Sequence, residues 1–250
     1  EMLTDAANGE WLLRLMNETG VLGRFLKPFG RVVAMMQFNM YHHYTVDEHL
    51  LMAIGFAARI ERGEFRQENP LVSDLIKRVK SREVLYVALL LHDMAKGLPG
   101  DHSEVGAAMA ESVCPRLGLS SADTATVSWL VRHHLVMSDA AQKRDVSDPK
   151  TVQDFVAIVQ TPERLRLLLI LTVADIRAVG PGVWNGWKGQ LLRELYYESE
   201  TLMSGGDASP ARSARIEAVK EALAAKIKDF PRSEEHRLNS SHMSESRMPS

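Results

Sequence analysis

Apolar residues recur three and four positions apart along most of the chain from Val46 onward. This spacing is that of an amphipathic helix, whereas the alternation that marks a β-strand is nearly absent. The pattern predicts helices over residues 47–62, 71–79, 82–96, 103–117, 121–136, 149–159, 162–179, 187–203 and 210–229. We therefore expect an all-α fold, built as a helical bundle.

Four of these helices have readable starts, because a side chain that can cap a helix stands just before the first turn. The capping residues are Ser81, Asp148, Thr161 and Ser209. In the last three cases a proline follows at the first helical position, where its missing N–H costs nothing. The helix starts at these four places are the boundaries that the sequence predicts best.

Changes in composition along the chain suggest four regions. They are a lead-in segment from an inter-domain region (1–45), the main helical domain (46–180), a C-terminal helical segment (181–230) and a disordered tail (231–250). The tail is polar and rich in serine, and it resembles a translated sequencing adapter. Its histidines, His236 and His242, are therefore excluded from any functional site.

The overall balance of charge and hydrophobicity excludes several classes of partner. The 250 residues are 45% hydrophobic, and the formal net charge is −2. So small a charge provides no bulk attraction to nucleic acid or to an anionic membrane, and no apolar run approaches the roughly 18 residues of a membrane span. The single cysteine, Cys114, cannot form an intramolecular disulfide, which favours a reducing compartment. We expect a cytoplasmic protein.

Two acidic residues follow runs of apolar residues that must be largely buried. Asp93, preceded by His92, comes after the apolar residues 87–91, and Asp175 comes after 167–174. A carboxylate that enters a core is costly unless a partner compensates its charge. Taken singly, His92 and Asp93 fit a capping pair, and Asp175 fits an ion pair with a buried arginine such as Arg177.

A different interpretation accounts for both acids together. His49 lies near the start of another amphipathic helix. The order His49, then His92 and Asp93, then Asp175 is that of an imidazole and carboxylate cage for a divalent metal ion. We prefer this interpretation to the two separate ones, and it predicts a metal site in the core of the bundle.

Three more histidines suggest a second metal site. His102 lies in one predicted helix start, and His133 and His134 lie near the end of another predicted helix. Adjacent helical residues point about 100° apart, so only one of this pair can be a ligand of the same ion. We assign His133 as that ligand, with His102 and a bridging Asp93. The alternative is that one or both of His133 and His102 are solvent-facing or supporting histidines rather than ligands.

Basic residues near these motifs are candidates for holding a phosphate. Lys96 follows Asp93 by three positions and is expected on the same helical face. We assign Asp93 and Lys96 the catalytic roles, with Lys96 also binding a phosphoryl oxygen. His134, Arg144 and Arg177 are further candidates for substrate binding, although a surface salt bridge is the alternative for each arginine.

The motifs resemble those of two nested groups of proteins. His49, His92, Asp93 and Asp175 match the His, His-Asp, Asp signature of the HD superfamily of metal phosphohydrolases. Longer segments resemble the bifunctional uridylyltransferase/uridylyl-removing enzymes, namely QFNMYHHYTVDEH (37–49), LHDMAKG (91–97), GDHSE (100–104), KRDVSDP (143–149) and TVADIRA (172–178). Together these segments extend over most of the region from about residue 30 to residue 200.

The resemblance implies a specific reaction. In that family a nucleotidyltransferase domain attaches UMP to a tyrosine of the PII protein of nitrogen metabolism, an HD domain removes it, and ACT domains sense glutamine. The present sequence shows neither the transferase motif nor a β-rich ACT pattern. The resemblance therefore implies the uridylyl-removing hydrolase, with uridylylated PII as substrate. The imidazole and carboxylate ligands predict a divalent metal cofactor, manganese or magnesium, with iron or zinc as alternatives.

Two other functions fit the same motifs. One is a general HD-type nucleotidase or phosphodiesterase that acts on a free nucleotide. The other is a non-catalytic regulatory module that keeps the HD fold and binds a nucleotide or a partner helix. The presence of every ligand of the signature argues against the module.

Overall fold

A computed structural model describes residues 2–36 and 43–205 of the chain, and within these ranges every regular element is a helix. The expected all-α fold is confirmed. The α-helices are α1 (Gly9–Glu18), α2 (Val21–Phe25), α3 (Lys27–Val32), α4 (Val46–Glu61), α5 (Pro70–Leu75), α6 (Arg82–Leu91), α7 (His102–Val113), α8 (Ser121–Arg132), α9 (Val136–Lys143), α10 (Pro149–Val159), α11 (Pro162–Val179) and α12 (Gly186–Met203). The helix expected over 210–229, its cap Ser209, the tail and residues 37–42 lie outside the described residues.

Helices α6 and α11 are central to the bundle. Every residue of α6 from Val84 to Leu91 is buried, and α11 is buried from Leu167 to Ala174. A helix that is apolar on all sides needs other helices around it, and α4 packs against both α6 and α11. In the part of the chain that the structure describes, no helix is both long and apolar enough to cross a bilayer.

The helix starts predicted from capping residues are confirmed at three of the four positions. Ser81 accepts a hydrogen bond from the Val84 amide at 3.3 Å, and Thr161 accepts one from the Arg164 amide at 3.2 Å. Asp148 caps α10 through the Lys150 amide at 2.9 Å. Each side chain satisfies an amide that the first turn of a helix leaves without a partner.

Two predicted helix ends are wrong, and both affect the site. The helix expected to reach residue 96 ends at Leu91, and the chain continues through tight turns such as Lys96 N–H to Asp93 C=O at 3.1 Å. Met94 and Ala95 remain buried, so the apolar pattern runs past the real end. As a result, His92 and Asp93 lie where the chain leaves the helix.

The second error concerns the helix expected over 121–136. In the structure α8 ends at Arg132, and a separate helix, α9, begins at Val136. Helix α9 was not predicted, although its buried residues Met137, Ala140 and Ala141 are spaced three and four positions apart. The break between the two helices changes the directions in which the two intervening histidines point.

The lead-in segment is anchored to the first turn of α4. The Asn17 side chain donates a hydrogen bond to Asp47 Oδ2 at 3.0 Å, and the Ala34 amide donates one to Asp47 Oδ1 at 3.1 Å. Arg14 and Glu48 form an ion pair at 2.5 Å. These contacts fix the start of α4 immediately before His49.

Candidate metal centre

Three elements bring His49, His92 and Asp175 together in the core. His49 lies in the first turn of α4, His92 directly follows α6, and Asp175 lies near the end of α11. Nε2 of His49 is 3.1 Å from Nε2 of His92 and 3.1 Å from Oδ1 of Asp175. Nε2 of His92 is 3.6 Å from the same Asp175 oxygen. The three predicted ligands therefore converge on one point.

A second group lies beside the first and shares Asp93 with it. Nε2 of His102 and Nε2 of His134 are each 3.7 Å from Oδ1 of Asp93. The other oxygen, Oδ2, is 3.5 Å from Nε2 of His49 and 3.5 Å from Nε2 of His92. Asp93 thus directs one carboxylate oxygen toward each group, which is the geometry of a bridging ligand.

The backbone sets the orientation of two of the imidazoles. Nδ1 of His92 donates a hydrogen bond to the Leu89 carbonyl at 2.8 Å, and Nδ1 of His134 donates one to the Val131 carbonyl at 2.7 Å. Since a carbonyl can only accept, the proton of each neutral ring lies on Nδ1. The Nε2 atoms then present lone pairs to the centre, as in histidines that bind metals.

The distances fit a divalent cation. With metal–ligand bonds of about 2.1 Å, two ligands of one ion lie about 3.0 Å apart at a right angle and about 3.4 Å apart at the tetrahedral angle. The separations in the first group run from 3.1 to 3.6 Å. Among the described residues, Oδ1 of Asp93 is also a buried atom without a hydrogen-bond donor. These residues can hold a metal ion.

The charges of the centre favour ionised carboxylates. Burial raises the pKa of Asp93, but the cationic His92 and Lys96 bring it well below its usual range. Hydrogen bonds from the neighbouring imidazoles likewise lower the pKa of Asp175 against the effect of burial. Burial lowers the pKa of His92, yet the two carboxylates outweigh it and raise that pKa to about 8. Near neutral pH a metal ion therefore has to displace a proton from Nε2 of His92 before that atom can present its lone pair. Burial lowers the pKa of His134 to about 4.

Solvent reaches the centre at Lys96 and His102, and to a smaller extent at Asp175. The side chains of His49, His92 and His134 are almost fully buried, whereas those of Lys96 and His102 are 22% and 30% exposed. Nζ of Lys96 is 2.6 Å from Oδ2 of Asp93. Lys96 therefore lies at an exposed edge of the centre, beside Asp93.

The structure places His134 in the second group, and His133 outside it. Because α8 ends at Arg132, the chain turns at His133, and the ring of that residue packs 4.9 Å from the ring of Trp129. The sequence-based choice of His133 rested on a helix continuing to residue 136. With the helix ending earlier, the geometry favours His134 as the ligand, a residue that the sequence suggested only for substrate binding.

The structure does not bring the two predicted substrate-binding arginines into the centre. Arg144 is exposed and forms an ion pair with Asp154 at 2.9 Å. Arg177 is buried and forms an ion pair with Glu68 at 2.7 Å. The geometry thus favours neither of them for phosphate binding. It also removes the alternative in which Arg177 is the partner of Asp175.

The sequence profile of the HD domain matches residues 46–179, which is more than half of the chain. This chain belongs to the HD-domain family. The matched region contains all six residues of the two groups and Lys96. Members of this family bind divalent metals through histidine and aspartate side chains, in agreement with the geometry of the centre.

The chain is also 60% identical over 230 residues to a bifunctional uridylyltransferase/uridylyl-removing enzyme of Azospirillum brasilense. The aligned region covers 92% of this chain and 25% of that relative. The chain therefore spans about a quarter of the length of the relative. This similarity confirms the resemblance that the sequence motifs indicated.

Proposed function

We propose that this chain is the uridylyl-removing part of a longer bifunctional enzyme of nitrogen regulation that acts in the cytoplasm. Its substrate would be the uridylylated PII protein, and its reaction the hydrolysis of the phosphodiester between UMP and a tyrosine. The observation that carries this proposal is the shared carboxylate of Asp93, which directs an oxygen toward each of two histidine-containing groups. The similarity to the Azospirillum brasilense enzyme supports the choice of substrate.

The two groups have distinct roles in this proposal. His49, His92 and Asp175, with Oδ2 of Asp93, would hold one metal ion. Oδ1 of Asp93, with His102 and His134, would hold a second. A bound divalent ion would lower the pKa of a water toward about 7 and polarise the phosphoryl oxygens. Mixed imidazole and carboxylate ligands suit manganese, iron or zinc, and we propose manganese as the first ion to test.

The remaining chemistry falls to Lys96 and to the substrate. Lys96 lies at an exposed edge of the centre with its ammonium group beside Asp93, so it can contact a phosphoryl oxygen and offset the charge that develops there. Water forms a bond to phosphorus, the bond to the tyrosine oxygen breaks, and that oxygen takes up a proton. Because a phenol has a pKa of about 10, it can leave without a strong general acid. The products are UMP and the unmodified tyrosine.

The test is to incubate the purified chain with Mn²⁺ and uridylylated PII and to measure released UMP by chromatography. Wild-type protein is expected to release UMP, whereas Asp93→Asn should release almost none, because it weakens both groups. Asp139→Asn is the matched control, since Asp139 is an exposed aspartate paired with Lys143 at 2.7 Å. The control should keep wild-type activity.

Two outcomes for the wild-type protein would contradict the proposed reaction and substrate. One is a folded, metal-loaded wild-type protein that releases no UMP from PII. The other is hydrolysis of free nucleotides with little or no hydrolysis of the protein substrate, which would indicate a general HD-type nucleotidase. Asp93→Asn with undiminished activity would contradict the role given to that carboxylate.

A further inference from the structure

Arg177 lies two positions after Asp175 on α11, and its charge is enclosed by aromatic rings. The guanidinium carbon is 4.1 Å from the centre of the Phe65 ring and 4.4 Å from the centre of the Trp184 ring. Glu68 accepts a hydrogen bond from Arg177 at 2.7 Å and another from the indole N–H of Trp184. The arginine side chain is only 7% exposed.

These contacts use part of the surface with which an arginine binds phosphate, although Nε of Arg177 is buried without a hydrogen-bond partner. A guanidinium recognises a phosphate through its fork of N–H donors and stacks on rings through its planar faces. In Arg177 two ring centres lie within 4.4 Å of the guanidinium carbon, and one N–H already donates to Glu68. Burial lowers the pKa of Arg177, and the Glu68 carboxylate opposes that effect. An arginine held in this way is poorly placed to bind a substrate.

The rings and the carboxylate come from segments next to both helices that provide the first ligand group. Phe65 and Glu68 lie in the turns that follow α4, the helix of His49, and Trp184 lies just after α11, the helix of Asp175. The side chain of Arg177 therefore ties the end of α11 to the segment after α4. These two helices also pack directly against each other.

We propose that Arg177 is a positioning residue, whose contacts with Phe65, Trp184 and Glu68 fix the last turns of α11 and hold the Asp175 carboxylate against His49 and His92. The inference rests on the metal site of the proposed function. It assigns Arg177 a different role from the substrate binding that the sequence suggested. Residues that orient metal ligands typically contribute about 10-fold to 100-fold to metal affinity.

The chain contains a matched control on the same aromatic ring. The guanidinium carbon of Arg59, at the end of α4, is 4.6 Å from the centre of the Phe65 ring, and Arg59 forms an ion pair with Glu64 at 2.7 Å. Its side chain is 41% exposed. Substitution of Arg59 removes the same kind of contact from Phe65 without touching the turns that carry Asp175.

The experiment compares Arg177→Lys with Arg59→Lys in the same chain. Lysine keeps the charge but has neither the planar face nor the fork. Mn²⁺ affinity is measured by competition with a fluorescent chelator, apo-protein stability by thermal melting, and UMP release from uridylylated PII at varied substrate concentration. We expect Arg177→Lys to weaken Mn²⁺ binding by about tenfold, the lower end of the range for such residues, and to lower kcat with KM unchanged. Arg59→Lys should bind Mn²⁺ like the wild type.

Each other outcome points to a different role. Arg177→Lys with wild-type Mn²⁺ affinity and a lowered melting temperature would overturn the inference in favour of a purely structural role. A raised KM with wild-type Mn²⁺ affinity would overturn it in favour of substrate binding. A folded wild-type chain that binds no Mn²⁺ would overturn the proposed function as well, so the two failures are distinguishable. If Arg177→Lys does not fold, Trp184→Leu removes one of the two rings and should weaken Mn²⁺ binding by a smaller factor.

Discussion

The neighbouring acids Asp47 and Glu48 contribute very differently to the stability of the fold. Asp47 is 5% exposed and accepts hydrogen bonds from the Asn17 side chain and the Ala34 amide. Glu48 forms an ion pair with Arg14, and both of these side chains are more than 30% exposed. We predict that Asp47→Ala destabilises the metal-free protein strongly and that Glu48→Ala hardly affects it.

The magnitude follows from the contacts that each substitution removes. A hydrogen bond to a charged group contributes about 1.5–3 kcal/mol, so the two bonds of Asp47 amount to about 3–6 kcal/mol. Part of this returns, because the buried carboxylate no longer has to leave water. We expect a net loss of about 2–4 kcal/mol for Asp47→Ala. Glu48→Ala removes a partly exposed pair, which contributes about 0.2–1 kcal/mol.

The assay is thermal unfolding followed by circular dichroism, in the presence of a chelator so that metal binding does not contribute. For a chain of this length, a loss of about 3 kcal/mol lowers the melting temperature by roughly 6–12 °C. Equal losses of stability for the two variants would refute the reasoning. They would mean that the anchoring of the lead-in segment to α4 does not depend on the buried carboxylate.

Three further predictions concern the centre and the single thiol. Mn²⁺ at about 100 times its dissociation constant should stabilise the chain by about 2.7 kcal/mol, which raises the melting temperature by roughly 5–11 °C. Asp93→Asn should remove most of this shift. An equal shift in that variant would contradict the assignment of Asp93 as a metal ligand. His134→Ala should weaken Mn²⁺ binding by at least about tenfold, whereas His133→Ala should change it by no more than about twofold, as for a residue away from the site. Equilibrium dialysis measures both affinities. A larger loss for His133→Ala than for His134→Ala would restore the sequence-based choice of His133. Burial raises the pKa of the Cys114 thiol to about 11, so at pH 8 its thiolate fraction is about 200-fold below that of an unfolded cysteine. The reaction of Cys114 with a disulfide reagent should therefore be slow in buffer and fast in urea. Equal rates in the two solutions would show that the thiol is accessible in the folded protein.

The sequence predicted those residues of the centre whose charge must be buried because they follow an apolar run. Asp93 and Asp175 each follow a long apolar run, and such carboxylates need compensation wherever the chain folds. The signature that joins them to His49 and His92 then predicted the meeting of three distant segments. Helix starts were predictable for a similar reason, since Ser81 and Thr161 satisfy amides within their own turn.

The sequence could not predict features that depend on where helices end or on contacts across the bundle. The choice between His133 and His134 depends on the end of α8, which carries no terminating glycine or proline. Arg144 and Arg177 lie near the motifs along the chain, but their partners are a surface acid and a distant glutamate. Nearness in sequence to a ligand therefore says little about nearness in space.

The central claim is that Asp93 bridges two metal ions. Crystals grown with Mn²⁺ and measured near the manganese absorption edge give the positions of bound ions directly. We expect two anomalous peaks about 3.5–4 Å apart, one on each side of Asp93. The first should lie beside His49, His92 and Asp175, and the second beside His102 and His134. Full-occupancy peaks that do not touch Asp93, or crystals at saturating Mn²⁺ without a peak in this core, would contradict it.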